Sequence, residues 1–184
     1  MLNEYTKIDG VSDLREFCLN EGIVFEVKKN DFFFRKGEVA KFIGFIEKGA
    51  FRFIDYTSFG KTQILGYGFI NEFVADYGAF QTKTKTLYHT QAITDSVVYA
   101  VTRENFNQFC DNHKNIHFRS QIAESLLVEV THRMISLYYT SEERYKLFIE
   151  NNPDLLNMLS LKEIASFVGV TPETISRIRK NIRF

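Results

Sequence analysis

The sequence predicts an α+β protein: an antiparallel β-sandwich or barrel, then a long helix, then a compact helical unit. Three observations predict it. Short apolar runs recur at near-regular spacing between residues 21 and 110, separated by turn-forming residues. Beyond residue 116 the apolar positions change to helical spacing. The last twenty-five residues then carry two helix starts on either side of a single glycine.

Residues 1–20 read as helical, with Leu14, Phe17 and Cys18 on one face. The strand region follows. Phe25-Glu26-Val27 alternates, and apolar runs follow at Phe32 to Phe34, Phe42 to Ile46, Phe51 to Ile54, Ile64 to Tyr67 and Val97 to Val101. Between them lie Lys29-Asn30-Asp31, Lys36-Gly37-Glu38, Glu47-Lys48-Gly49 and Ser58-Phe59-Gly60-Lys61, whose residue types favour turns. Many short strands of this kind suggest a sandwich or barrel.

The pattern changes near Glu104. Ile116, Ala123, Leu127, Val130, Met134 and Leu137 then fall on one helical face, spaced 4, 3, 4, 3 from Ala123 onward. That is a heptad stripe, the kind used when two long helices pair. Glu124, Glu129, Thr131, His132 and Arg133 leave most of the remaining surface polar, which favours pairing with a second copy over packing within the chain. A new helix starts at Thr140-Ser141-Glu142-Glu143, which fits a capping box, and Asn151-Asn152-Pro153 interrupts it. The expected units are therefore residues 1–112, 113–139 and 140–184.

The C-terminal unit is the most specific signal. Ser160-Leu161-Lys162-Glu163 is a second capping box, and Ile164, Ala165, Phe167 and Val168 make the apolar side of its helix. Gly169 ends that helix because it can adopt positive φ. After Val170, Thr171 is a strong N-cap and Pro172 sits at the first helical position, where a missing N–H costs nothing. Ile175 and Ile178 face back toward the first helix. Two short helices crossing over a tight turn, with small Ala165 at the crossing, make a helix-turn-helix. Glu173, Thr174, Ser176, Arg177, Arg179 and Lys180 remain on the second helix, several of them polar and long enough to reach base edges or phosphates. Arg183 adds to the same basic end.

Composition narrows the class. Lys+Arg and Asp+Glu are both 23, so only the local basic cluster points to nucleic acid. The two cysteines, Cys18 and Cys110, make neither a disulfide framework nor a cluster site. No apolar run is long enough to span a membrane, and no secretory leader is evident, so a cytoplasmic protein is expected. The strand region offers one histidine, His89, which argues against a metal-dependent enzyme on a barrel of this type. No catalytic residue, metal ligand or cofactor is expected.

These residues together resemble the cAMP receptor protein (Crp/Fnr) family of bacterial regulators over nearly the whole chain. Phe32-Phe33-Phe34-Arg35-Lys36-Gly37-Glu38 is similar to the family's strand-turn "GE" signature, and Phe45-Ile46-Glu47-Lys48-Gly49 to its following strand and turn. Phe69-Ile70-Asn71-Glu72-Phe73 stands where the family's phosphate cassette begins. Leu161-Lys162-Glu163-Ile164-Ala165 and Thr171-Pro172-Glu173-Thr174-Ile175-Ser176-Arg177-Ile178 are similar to its two helix-turn-helix segments. The resemblance implies a jelly-roll (double-stranded β-helix) sensor domain over 1–112, a dimerisation helix over 113–139 and a DNA-binding unit over 140–184. No strand hairpin follows the recognition helix, so that unit is expected to lack a C-terminal wing.

Residue by residue, the resemblance implies that Glu173 and Arg177 read bases, while Ser160, Thr171 and Thr174 touch phosphates. Lys162, Ser176, Arg179 and Lys180 complete the expected DNA-binding set. Pro172 replaces an Arg found there in some family members. In the sensor domain the family's cyclic-nucleotide binders use a Gly-Glu pair and an Arg-Ser or Arg-Ala pair. Here those positions are Asn71-Glu72 and Thr86-Leu87, which form the candidate effector pocket and lack the phosphate-neutralising Arg. The expectation is a homodimeric, sequence-specific DNA-binding transcription regulator responding to an unidentified small molecule other than cAMP. The alternative is a ligand-binding or protein-interaction module of the same fold that no longer reads DNA. Double-stranded DNA and a second copy are the expected partners, RNA polymerase is a candidate third, and no membrane is expected.

Overall fold

The structure is a computed structural model that describes residues 4–112, 115–151, 156 and 159–181. A 3₁₀ turn at Glu4–Lys7 precedes helix α1 (Val11–Glu21), so the expected N-terminal helix is in two pieces. Eight strands follow: β1 (Ile23–Val27), β2 (Phe32–Phe34), β3 (Phe42–Lys48), β4 (Ala50–Tyr56), β5 (Thr62–Phe69), β6 (Phe73–Val74), β7 (His89–Ala92) and β8 (Ser96–Thr102). Helix α2 (Tyr77–Thr82) lies between β6 and β7. The chain then turns helical: α3 (Arg103–Asp111), α4 (Phe118–Ser136), α5 (Ser141–Asn151), α6 (Leu161–Val168) and α7 (Pro172–Asn181).

The strands form two four-stranded antiparallel sheets in the orders β1-β8-β3-β6 and β2-β7-β4-β5, the jelly-roll expected of the sensor domain. Every apolar run read from the sequence lies in a strand. Two strands carry no such run. β6 is two residues long, and β7 is His89-Thr90-Gln91-Ala92, a largely polar segment held by pairing with both β2 and β4. The β3–β4 hairpin turns at Gly49 with φ 92°, where a Cβ would collide with Ser96, so only glycine fits.

Apolar burial falls into three clusters. Val27, Ile46, Phe51, Val74 and Val98 fill the space between the sheets, with Phe25, Phe33, Phe42 and Phe53 packed against them. A second cluster joins β3 and β8 to the helices through Leu14, Cys18, Phe45, Phe80, Phe106, Phe109 and Phe118. The third joins Ile54, Ile64 and Tyr67 of the second sheet to Tyr145, Phe148, Ile164, Phe167, Ile175 and Ile178 of the C-terminal helices. The C-terminal helices are therefore packed directly on the β-roll.

The helical turnover near Glu104 resolves into two helices. α3 is capped by Thr102, whose hydroxyl accepts from Asn105 N at 3.2 Å, and packs on the β-roll. α4 lies inside the expected 113–139 segment. Ile116 falls in the turn before it and Leu137 is its C-cap, so Ile116 is not on the helical face of the other stripe residues. Residues 113–114, 152–155 and 157–158 lie outside the described residues, the expected break at Asn152-Pro153 among them, and so does Arg183.

Candidate nucleic-acid interface

The C-terminal helices form as their caps dictate. Ser160 accepts from Glu163 N at 3.3 Å, and Glu163 Oε2 accepts from Ser160 N at 3.0 Å, closing the capping box at the start of α6. Thr140 and Glu143 make the same reciprocal pair at the start of α5. Gly169 ends α6 at φ 76°, with open space around the position a Cβ would occupy. Its N–H and that of Val170 both donate to Ala165 O, at 3.0 and 2.9 Å. Thr171 Oγ1 accepts from Thr174 N at 3.2 Å, which caps α7. Ile164, Ala165, Val168, Ile175 and Ile178 are buried, and Val170 packs against them, so the shared core is the one expected.

The outer side of α7 is polar. Glu173, Arg177 and Lys180 are exposed, and Ser176 and Thr174 are half-buried. At 3.6 residues per turn, Glu173, Ser176, Arg177 and Lys180 share one face. The first-turn amide of α7 and the Thr171 hydroxyl hold the Glu173 carboxyl below the usual carboxylate range, so it stands as an ionised acceptor. Arg179 points elsewhere. Its Nε donates to Tyr145 Oη and its guanidinium lies over that ring, tying α7 to α5. Lys162 is exposed, while the Ser160 hydroxyl is engaged in the α6 cap.

The stripe expected to pair two copies faces solvent. Leu127, Val130, Met134 and Leu137 are 66%, 55%, 60% and 67% exposed, a bare apolar row along α4. The opposite side of α4 is buried by Phe118 and Ile122, with Leu126 packed against the same cluster.

The candidate effector residues differ in exposure and in what they bond. Asn71 is exposed at φ 68°, and Asn71 N and Glu72 O both bond Ile46, which makes a tight turn against β3. Glu72 Oε2 accepts from Phe69 N at 2.9 Å. Thr86 is buried, and its hydroxyl donates to Arg35 O at 2.7 Å. Leu87 is 71% exposed. Sequence reasoning missed the residue that organises this region. Asp76 is buried, and its carboxylate accepts from Ala79 N at 3.1 Å and from Leu87 N at 2.9 Å. The amides open to an anion at the start of α2 and at Leu87 are thus bonded to an internal carboxylate. Nearby, Tyr88 donates to Ala75 O and packs its ring 5.5 Å from Phe53 and 6.2 Å from Phe34.

A second set of contacts was not expected from the sequence. Arg52 on β4 pairs with Glu163 at 2.8 Å and also donates to Gln91 Oε1. Ser166 Oγ accepts from Ile64 N at 3.1 Å and donates to Thr62 O at 3.3 Å, while Gln63 Nε2 donates to Ser166 O. β5 is the edge of its sheet, and α6 covers that edge. Ser166 shares the polar side of α6 with Lys162 and Glu163, so no local pattern marked it.

Residues 24–113 match the cyclic nucleotide-binding domain family. No curated protein sequence matches the chain. Among solved structures, FixK2 from Bradyrhizobium japonicum aligns with a TM-score of 0.69 at 20% identity, covering 87% of this chain and 83% of that one. The c-di-GMP-responsive global regulator CLP of Xanthomonas campestris aligns at 0.66 and 16% identity, over 92% and 90%. The catabolite activator protein of Thermus thermophilus aligns at 0.58 and 15%, over 95% and 83%. These neighbours are transcription regulators of the Crp/Fnr family, and the chain has their fold. Among the described residues no helix is long and apolar enough to cross a membrane.

Proposed function

We propose that the chain is a sequence-specific DNA-binding transcription regulator of the Crp/Fnr type that works as a homodimer. The observation that carries this reading is the outer face of α7, where Glu173, Arg177 and Lys180 stand exposed on a helix whose inner face is locked by Ile175 and Ile178. A carboxylate there can accept from a cytosine amino group, and an arginine can donate twice to guanine. The exposed α4 stripe supports the dimer, which sets two recognition helices in successive major grooves about 34 Å apart. Thr86 in place of the cassette arginine, together with Asp76 on the neighbouring amides, supports an effector other than cAMP.

The test is selection of genomic DNA by the purified protein, with Arg177→Ala as control at the same salt concentration. A two-fold symmetric motif that is lost in the control is the expected result. Binding without a motif, unchanged in the control, would leave α7 without a reading role. Affinity for the selected site should also fall steeply with added salt, because phosphate contacts release counterions.

A further inference from the structure

Between the C-terminal half of α4, α5 and the end of α6 lies a cleft of about 540 Å³. It is separate from the outer face of α7 and from the Asn71 to Leu87 region. Ile135, Phe148 and Phe167 supply apolar wall, and Glu129, His132, Arg133, Tyr139 and Arg144 are the charged or titratable side chains that line it. On α4, Glu129, Arg133 and Ser136 fall on the flank next to the Leu127–Met134 stripe rather than on it. Cleft and stripe are therefore distinct surfaces that share Leu137.

The two arginines distinguish this cleft from an ordinary packing gap. Arg133 lies over the Phe167 ring, with Cζ 4.2 Å from its centroid, and donates to Phe167 O at 3.0 Å. Among the described residues that is one hydrogen bond from a group with five donors. Burial holds its pKa below the ordinary value, against the opposing pull of Glu129 one turn away. Among the described residues Arg144 donates only to carbonyls, those of Leu137, Tyr139 and Gly169 at 3.4, 3.0 and 3.5 Å. Its Nε is closed off and has no partner among the described residues. Carbonyls satisfy donors but leave the charge uncompensated, and a guanidinium against apolar walls favours an anion. The Nε/Nη2 edge is the fork that takes a carboxylate in two parallel bonds. On Arg144 that edge holds one vacant donor and the longest of the three contacts.

We propose that this cleft binds a small amphipathic organic anion, with its acid group on Arg133 and Arg144 and its apolar body against Ile135, Phe148 and Phe167. To reach Nε, the acid draws the Arg144 side chain away from Gly169 O. Both arginines hold the last carbonyls of α6 against α4 and α5, so an anion that takes them loosens the end of the first helix of the helix-turn-helix. Binding itself does not rest on the DNA-reading proposal.

The experiment uses the full chain and the fluorescent anion 8-anilinonaphthalene-1-sulfonate, with no DNA present. Saturable binding of one probe per protomer is expected, competed by decanoate. The uncharged analogue N-phenyl-1-naphthylamine should bind about tenfold more weakly or worse, as should the anion to Arg133→Met. Ser136→Phe places a ring in the cleft and should abolish binding. Ser136→Ala removes the Ser136 Oγ bond to Arg133 O but leaves the cleft open, and should retain it. Thermal melts establish that each variant is folded. Equal affinity for the charged and uncharged probes, or undiminished binding in folded Ser136→Phe, would overturn the proposal. Either outcome leaves the DNA selection result untouched, and failure of that selection leaves this binding untouched.

Discussion

Substitutions at Glu163 dissect how α6 and α7 are held on the β-roll, because its two carboxylate oxygens have different partners. Oε2 accepts from Ser160 N and Oγ at 3.0 and 2.8 Å, and Oε1 accepts from Arg52 Nη1 at 2.8 Å. Glu163→Gln keeps an oxygen for the cap and removes the charge, whereas Glu163→Ala removes both. Losing a cap interaction costs about 1 kcal/mol. The ion pair is 24% and 21% exposed, between the surface case of ~0.2–1 kcal/mol and the buried case of ~3–5 kcal/mol. Arg52 keeps its two bonds to Gln91, at 3.0 and 2.8 Å, so its charge is not orphaned and the lower part of that range applies. The expectation is ~1 kcal/mol for Glu163→Gln and ~2 kcal/mol for Glu163→Ala. For a chain of this size that lowers the melting temperature by about 2–4 °C and 4–8 °C. A double-mutant cycle of Glu163→Gln with Arg52→Met, read by urea unfolding with circular dichroism and tyrosine fluorescence, isolates the pair. A coupling below about 0.3 kcal/mol would refute the ion pair as a tie between the units. The docking would then rest on the apolar cluster and the Ser166 bonds alone.

Leu127→Glu should convert a dimer to monomers in sedimentation experiments. Burial of a leucine contributes about 1.5–3 kcal/mol, and two copies are lost across a symmetric seam, so dissociation should rise by about a hundredfold or more. The melting of the isolated protomer should change little, since Leu127 is 66% exposed in it; unchanged sedimentation would remove α4 as the seam. Cys18 and Cys110 should resist a thiol reagent in the native protein at about pH 8 and react on unfolding, because both are buried. Burial pushes their pKa values up to about 12 and about 11 from an ordinary 9.0. Raised values mean that the unfolded chain ionises first. Their contribution to stability is full below pH 9.0 and is lost as pH rises toward 11 and 12. Burial also raises the pKa values of Tyr5, Tyr67 and Tyr88 above their ordinary 10.0, which steepens the same alkaline loss. Urea midpoints that stay level through the alkaline range, or rapid native labelling, would contradict this.

What the sequence made legible is what local chemistry determines. Ser160, Glu163, Gly169, Thr171 and Pro172 act within one helical turn of their partners, so their cap geometry could be read before any fold was known. The apolar strand runs were legible because both sheets bury one face in a shared layer. β7 was not. His89-Thr90-Gln91-Ala92 has no apolar pattern, and it is a strand because β2 and β4 lie on either side of it. Asp76 escaped notice for a related reason. Its acceptors face Ala79 N nearby but also Leu87 N, eleven residues on, a meeting that only the folded cassette creates. The Arg52–Glu163 tie spans 111 residues and has no local signature.

α4 is the element through which the three units meet, and its three faces explain why. Phe118, Ile122 and Leu126 fasten it to the β-roll, so a rearrangement of that core carries α4 with it. The Leu127 to Leu137 stripe is bare, and the dimer proposed through it would fix the relative direction of two α4 helices. Arg133, on the flank between, bonds Phe167 O at the end of α6. In the proposed dimer, the spacing of the two α7 helices would be the sum of one relation, α4 to α4, and one tied relation, α6 to α4 and β5. In that dimer the first relation would be a packed apolar seam, which resists small displacement. The tied relation depends on a few polar bonds and one apolar cluster, and it competes directly with anything that takes Arg52, Ser166, Arg133 or Arg144. In the proposed regulator, a ligand that favours one arrangement of these ties would therefore change the α7 spacing through the α6 junction before it changed it through the α4 seam.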